Sequence, residues 1–231
     1  MEEGDRESTA AIRARLAAGH HDPNAFRASL LAVPPAERDA WIDALFELSG
    51  VPDDGPELPR GCVPYLPCPV DVLVRMVEEA RVTPSDVIID VGSGIGRATT
   101  CLHFLTGAPV IGIEIQSGLV RAARELAARS GARGVTYVEG DAIERTGCMA
   151  LGSVFFLYCP FSGDRLTKLL AALHPIARAR TIRICCLDLP LPPCPWLTLQ
   201  PQQPHHPSDL TIYRSTAPPT SAAAEAAGRS V

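Results

Sequence analysis

One run limits what this chain can fold into: residues 87–97, V-I-I-D-V-G-S-G-I-G-R. A short apolar stretch leads into Asp90. Gly92, Gly94 and Gly96 follow at alternate positions, and a helix-compatible segment starts at Arg97. A β-branched run, a glycine turn and a helix together hold a nucleotide-like ligand at the carboxyl edge of a parallel sheet. Glycine accepts the backbone angles of the turn, and its bare Cα lets a ligand approach the main chain.

The surrounding pattern supports such a sheet. Strands are predicted at residues 87–91, 109–115, 135–139, 152–158 and 181–187. Helices are predicted between them at 98–105, 119–129 and 165–176, with one ahead of them at 69–80. Alternation of this kind means right-handed βαβ units and a mostly parallel sheet covered on both faces, an α/β fold. Residues 196–199 and 210–213 read as two short strands, an antiparallel hairpin on the sheet edge. The 22 prolines concentrate before residue 70 and after residue 188, so irregular flanks surround a regular middle.

Ahead of the core, Asp22-Pro23-Asn24 reads as a helix start and Pro34-Pro35 as its break. Residues 36–49 form a second amphipathic candidate carrying Trp41, Ile42, Leu45 and Phe46, with Gly50 placed as the C-terminal cap. Residues 1–20 are helical or frayed. The expected organisation is a small helical N-terminal extension and linker at 1–60, a ligand-binding domain at 61–216 and a disordered tail at 217–231. The extension is expected to cover one edge of the core or to form part of a substrate lid.

Composition narrows the function classes. Residues 1–60 carry 12 acids against 6 bases, which leaves the remainder close to neutral. That is not the basic footprint of a nucleic-acid binder. The N-terminus is acidic with no apolar core, and no apolar run approaches membrane-spanning length. Eight cysteines without a C-x-x-C pair point to a reduced, cytoplasmic setting with most thiols in the core, and no metal site is expected. His20-His21 and His205-His206 read as solvated pairs.

The glycine spacing discriminates among ligands. A dinucleotide fingerprint needs G-x-G-x-x-G, and here the third glycine arrives one position early. No G-K-[ST] follows, which excludes a P-loop. Two further acids fall into register with the strands: Glu114 ends the second, 22 positions after Gly92, and Asp141 follows the third in E-G-D-A. Neighbouring hydroxyls are a natural bidentate partner for one carboxylate. Taken singly, the glycine run fits any tight turn, Glu114 a solvated strand end and Asp141 a helix N-cap. Three acids at successive parallel strand ends face one crevice.

This pattern resembles class I S-adenosylmethionine (SAM)-dependent methyltransferases. The resemblance implies a Rossmann-like methyltransferase fold with SAM as cofactor. It implies cofactor contacts from Asp90 at the amino-acid end and from the loop Gly92, Ser93, Gly94 and Gly96. It also implies that Glu114 and Ile115 lie at the ribose, and Asp141 and Ala142 at the adenine. A narrower likeness covers residues 61–187. P-Y-L-P-C-P at 64–69 and the G-S-G-I-G-R loop are similar to Dot1-type and related lysine methyltransferases. There the first segment folds over the cofactor, which places Tyr65 at the cofactor or the acceptor channel. The fourth strand ends in L-Y-C-P-F, where the family carries amide side chains. Tyr158 and Phe161 are then expected to wall an aromatic channel, with Cys159 as a weaker candidate nucleophile. The acceptor implied is a protein lysine or a small molecule under a helical lid. A non-catalytic SAM-binding module is the third reading.

Overall fold

The computed structural model describes residues 8–48, 50, 52, 58–59, 61–201 and 210–216. Three N-terminal helices come first: α1 (Thr9–Ala17), α2 (Pro23–Leu31) and α3 (Arg38–Leu45). Then follow α4 (Val70–Glu79), β1 (Ile88–Val91), α5 (Arg97–Thr106), β2 (Val110–Glu114), α6 (Ser117–Ser130) and β3 (Val135–Glu139). The chain continues through α7 (Thr146–Met149), β4 (Val154–Tyr158), α8 (Gly163–Ala179), β5 (Arg183–Leu187), β6 (Leu197–Leu199) and β7 (Leu210–Ser215).

The strands form one sheet in the order β3-β2-β1-β4-β5-β7-β6. The first five are parallel; β7 is antiparallel to both β5 and β6. This is the expected Rossmann-like fold with its edge hairpin. After β3 the chain returns to the other side of β1 to form β4. The strand order therefore reverses between β1 and β4, and the crevice at such a reversal is where α/β sheets bind ligands.

Alternation along the strands divides the core into two layers. Ile88, Val110, Val154, Phe156, Cys185 and Leu187 belong to the cluster under α4 and α5. Their neighbours Ile89, Val91, Ile113, Phe155, Leu157, Ile184 and Cys186 belong to the cluster that includes Leu166, Leu169 and Leu173 of α8. Successive side chains of a strand point to opposite faces. The strands covered on both sides are therefore mostly apolar, with Asp90 inside β1, Glu114 at the end of β2 and Arg183 at the start of β5 as exceptions.

The N-terminal helices extend the first of these layers. Phe26 and Phe46 meet the Phe104 ring of α5 at 5.4 and 6.1 Å between centroids. They lie on helices α4, α5 and α6 rather than on a sheet edge. As a result every residue of α5 except Ala98 is buried. Its polar groups are matched internally: Thr99 Oγ1 donates to Asp90 and Thr106 Oγ1 to the Leu102 carbonyl.

Some local expectations need correction. Asp22 caps α2 by accepting the Asn24 N–H, as its sequence position suggests. Gly50 does not cap α3. That helix ends at Leu45, and Glu47 takes the left-handed φ of 52° instead. The Leu48 N–H returns to the Asp43 carbonyl, so the chain turns three residues before the glycine. Helix α8 runs through Pro175 to Ala179, and α7 was not anticipated. The expected tail at 217–231 and the His205-His206 pair lie outside the described residues. Among the described residues no helix is long and apolar enough to cross a membrane.

Candidate active site

The glycine turn after β1 has the anticipated backbone. Gly92, Gly94 and Gly96 have φ of 81°, 54° and 78°, where residues bearing a Cβ are strained. All three also admit close neighbours, Gly92 the Pro160 side chain. A Cβ on Gly96 would lie 2.2 Å from the Tyr137 hydroxyl, and one on Gly94 would lie 2.0 Å from the Tyr65 ring. Tyr65 therefore rests directly on the glycine loop.

A crevice of about 680 Å³, its open mouth included, lies at the carboxyl edge. Gly92, Glu114, Ile115, Asp141, Ala142, Tyr158, Phe161 and Tyr65 all line it. A second chamber of about 280 Å³ is lined by Asp90, Ser93, Phe156 and Cys68. Tyr65, Leu66, Gly92 and Tyr158 border both chambers. Phe161 borders only the larger one, with Asp141 and Arg165, and stands apart from the Asp90 end.

Each acid is held differently. Asp90 is enclosed and accepts the Thr99 hydroxyl at 2.6 Å. Burial pushes its carboxyl up to about 7; the Thr99 hydrogen bond opposes the rise and the charge of Glu114 adds to it. Glu114 accepts the Gly94 N–H on one oxygen and the Gln116 N–H on the other, both at 2.9 Å. Each oxygen keeps a lone pair. Asp141 accepts the Ile143 N–H at 3.0 Å and Arg165 Nη2 at 2.6 Å. The Arg165 guanidinium lies 5.4 Å from the centre of the Phe161 ring.

Two features were not legible as site elements. Arg165, in the first turn of α8, reaches Asp141 across 24 residues of sequence. Residues 61–66 form a strap sewn onto the turn after β4. Cys62 bridges Phe161, Val63 N–H donates to the Pro160 carbonyl, and Ser162 N–H donates to the Gly61 carbonyl. The P-Y-L-P motif flagged the strap, but its attachment to the far side of the crevice depends on tertiary contacts.

The residues fit a SAM-type cofactor. The buried Ser93 Oγ has no hydrogen-bond partner among the described residues. The bare Gly92 Cα, a carboxylate with residual acceptor capacity at the β2 end and a third acid beyond β3 line the larger chamber. The misfit is Tyr65, whose ring occupies the approach to Gly94.

Known proteins resemble the chain in sequence and fold. The sequence pattern of the protein-L-isoaspartate(D-aspartate) O-methyltransferase family matches residues 65–149. A protein-lysine N-methyltransferase of Saccharolobus islandicus is 33% identical over 84 residues, 36% of this chain and 52% of that protein. The chain thus spans about half the length of this curated relative. An RNA methyltransferase from Salinibacter ruber, solved with S-adenosyl-L-homocysteine, superposes with a TM-score of 0.52 at 28% identity, covering 67% of this chain and 95% of that one. A putative methyltransferase of Escherichia coli, yhhF, shares the fold with a TM-score of 0.52 at 16% identity, covering 64% of this chain and 87% of that one.

Fold, loop and crevice are those of the class I SAM-dependent methyltransferases, and the chain is of that class.

Proposed function

We propose that the chain transfers the methyl group of SAM to an amine, with protein lysine as the favoured acceptor. One observation carries the reading: Glu114 and Asp141 line one chamber and Asp90 the chamber beside it, with Gly92 of the glycine loop bordering both. The lysine assignment draws on the Saccharolobus relative and on the motif at residues 64–69.

When bound, SAM supplies a methyl group on a positively charged sulfur. The residues of this chain bind and orient. Glu114 would take the ribose hydroxyls with its remaining lone pairs, beside Ile115. Asp141 and Ala142 would meet the adenine edge, with Phe161 walling that chamber rather than the acceptor channel. Asp90, Ser93 and the bare Gly92, Gly94 and Gly96 would hold the amino-acid end. Tyr65 would leave Gly94 and close over the ligand. Tyr158, at the junction of the two chambers, would flank the acceptor. Its aromatic surface favours the neutral, nucleophilic form of an amine by stripping water from it. Holding the two reactants in line accounts for much of the rate gain.

We retain 61–216 as the methyltransferase unit and 1–60 as its extension. Within the described part of the extension Leu58 lines the larger chamber, whereas none of α1–α3 lines either one, so the helices themselves do not support a lid over a small acceptor. The test is calorimetry with SAM and its demethylated product, followed by labelled SAM in a lysate separated into protein and small molecules. Failure to bind either ligand at high micromolar concentration removes the enzyme reading. Binding without label transfer supports a non-catalytic module.

A further inference from the structure

Two adjacent strand ends share an unusual backbone. Tyr158 stands opposite Leu187 in the parallel ladder of β4 and β5, so Cys159 and Asp188 leave the sheet side by side. Both turn through left-handed φ, 42° and 51°. Aspartate tolerates that region better than most residues, cysteine less so. Paired strain of this kind clusters where a chain must aim side chains at a ligand. Cys159 lines the crevice, and Asp188 is exposed beside it. The Asp188 carboxylate is close enough to Tyr158 to help raise its hydroxyl pKa, after burial and Cys68.

The carboxylates that line the two chambers are otherwise engaged. Asp90 holds Thr99, Glu114 holds two amides and Asp141 holds Arg165. Among the described residues, Asp188 has no hydrogen-bond or ion-pair partner for its side chain. A carboxylate at the mouth without a cation of its own is suited to receive one from the acceptor.

Building on the methyltransferase reading, we propose that Asp188 selects the acceptor: it docks the ammonium of a primary amine, such as a protein lysine side chain, at the crevice mouth beside Tyr158. Position defines the limits of this role. A carboxylate in contact with the reacting nitrogen would favour its charged, unreactive form. Asp188 sits outside, so it captures the cation before the nitrogen sheds its proton to water and meets the methyl group. Capture depends on Asp188 and chemistry does not.

The probe is poly-L-lysine methylated with labelled SAM by the full chain, wild type and Asp188→Asn. Asparagine also accepts the left-handed backbone, so the turn is kept. The variant should raise KM for poly-L-lysine about tenfold, as the loss of one charged contact worth about 1.4 kcal/mol would. Its kcat should stay within about twofold, and its SAM affinity by calorimetry should be unchanged. Wild-type KM should also climb with salt and the variant's should not, because exposed charge pairs are screened. An unchanged KM in a variant that binds SAM normally overturns the inference. So does a wild type that binds SAM but never methylates poly-L-lysine. A wild type that fails to bind SAM removes the methyltransferase reading itself, and calorimetry separates that outcome from the others.

Discussion

Arg97 Nε donates to the Asp43 carboxylate at 2.6 Å, joining the first residue after the glycine loop to helix α3. The same guanidinium reaches the Asp39 carboxylate at 2.8 Å and the Cys68 carbonyl at 2.7 Å. Asp39 in turn accepts the Val70 N–H that opens α4. The Arg97 side chain is 4% exposed, whereas its acids are 52% and 46% exposed. Removing an acid therefore leaves a buried cation short of a partner. Asp43→Ala should cost about 1–3 kcal/mol, read by urea unfolding followed through Trp41 fluorescence. A cost below about 0.5 kcal/mol would place the bond among ordinary surface pairs.

Gly94→Ala tests the contact with Tyr65. The new methyl group would meet the ring and also sit at a left-handed φ. The variant should lose stability, with roughly 1–2 kcal/mol coming from the backbone alone. Adding Tyr65→Ala should recover the steric part and not the backbone part. Full recovery in the double variant would show that φ at this position carries no strain.

The Glu114 carboxylate is expected to be the main ribose anchor. Glu114→Ala should weaken SAM binding by about 100-fold, the equivalent of two charge-assisted hydrogen bonds at roughly 1.5 kcal/mol each. Calorimetry measures it. Because Glu114 also receives the Gly94 and Gln116 amides, an unfolding curve on the same sample is needed to show that the fold survives. Unaltered affinity would move the ribose elsewhere.

Asp90 gives the stability a pH signature. Its folded pKa is raised, from 3.8 to about 7. Between those values the folded chain keeps a proton that the unfolded chain has lost, so this group's contribution is full below about pH 4 and disappears as pH rises to 7. Across that window the wild type should lose stability relative to Asp90→Asn, measured as the difference between urea midpoints. A constant difference would mean that Asp90 is ionised at all these pH values.

The βαβ order was legible because each strand is an apolar run closed by a turn, and the parallel core buries both faces. Strand ends slipped by one or two residues, as at Val87, which lies just outside β1 although its carbonyl accepts from Ser153 and Val154. Glu114 and Asp141 could be placed because strand ends share an edge whatever the tertiary detail. Arg165, the Cys62–Phe161 bridge and the Arg97 hub were not readable, since each joins residues dozens of positions apart. Phe161 was grouped with Tyr158 from its place after it, and the two line the larger chamber together with Tyr65. Gly50 was chosen as a cap from its place after the apolar run, whereas the helix ends at Leu45 and Glu47 takes the left-handed turn.

The enclosure of α5 has a consequence for how a ligand is received. With Phe104 wedged between α2 and α3 and Arg97 locked at its start, the helix behind the glycine loop has no freedom to shift without opening the core. The floor of the crevice is thus built in advance, and adjustment falls to the strap at residues 61–66. Affinity is then set mainly by how much order the strap surrenders or gains. Substitutions there should move binding entropy, whereas those under α5 should change the melting of the whole chain.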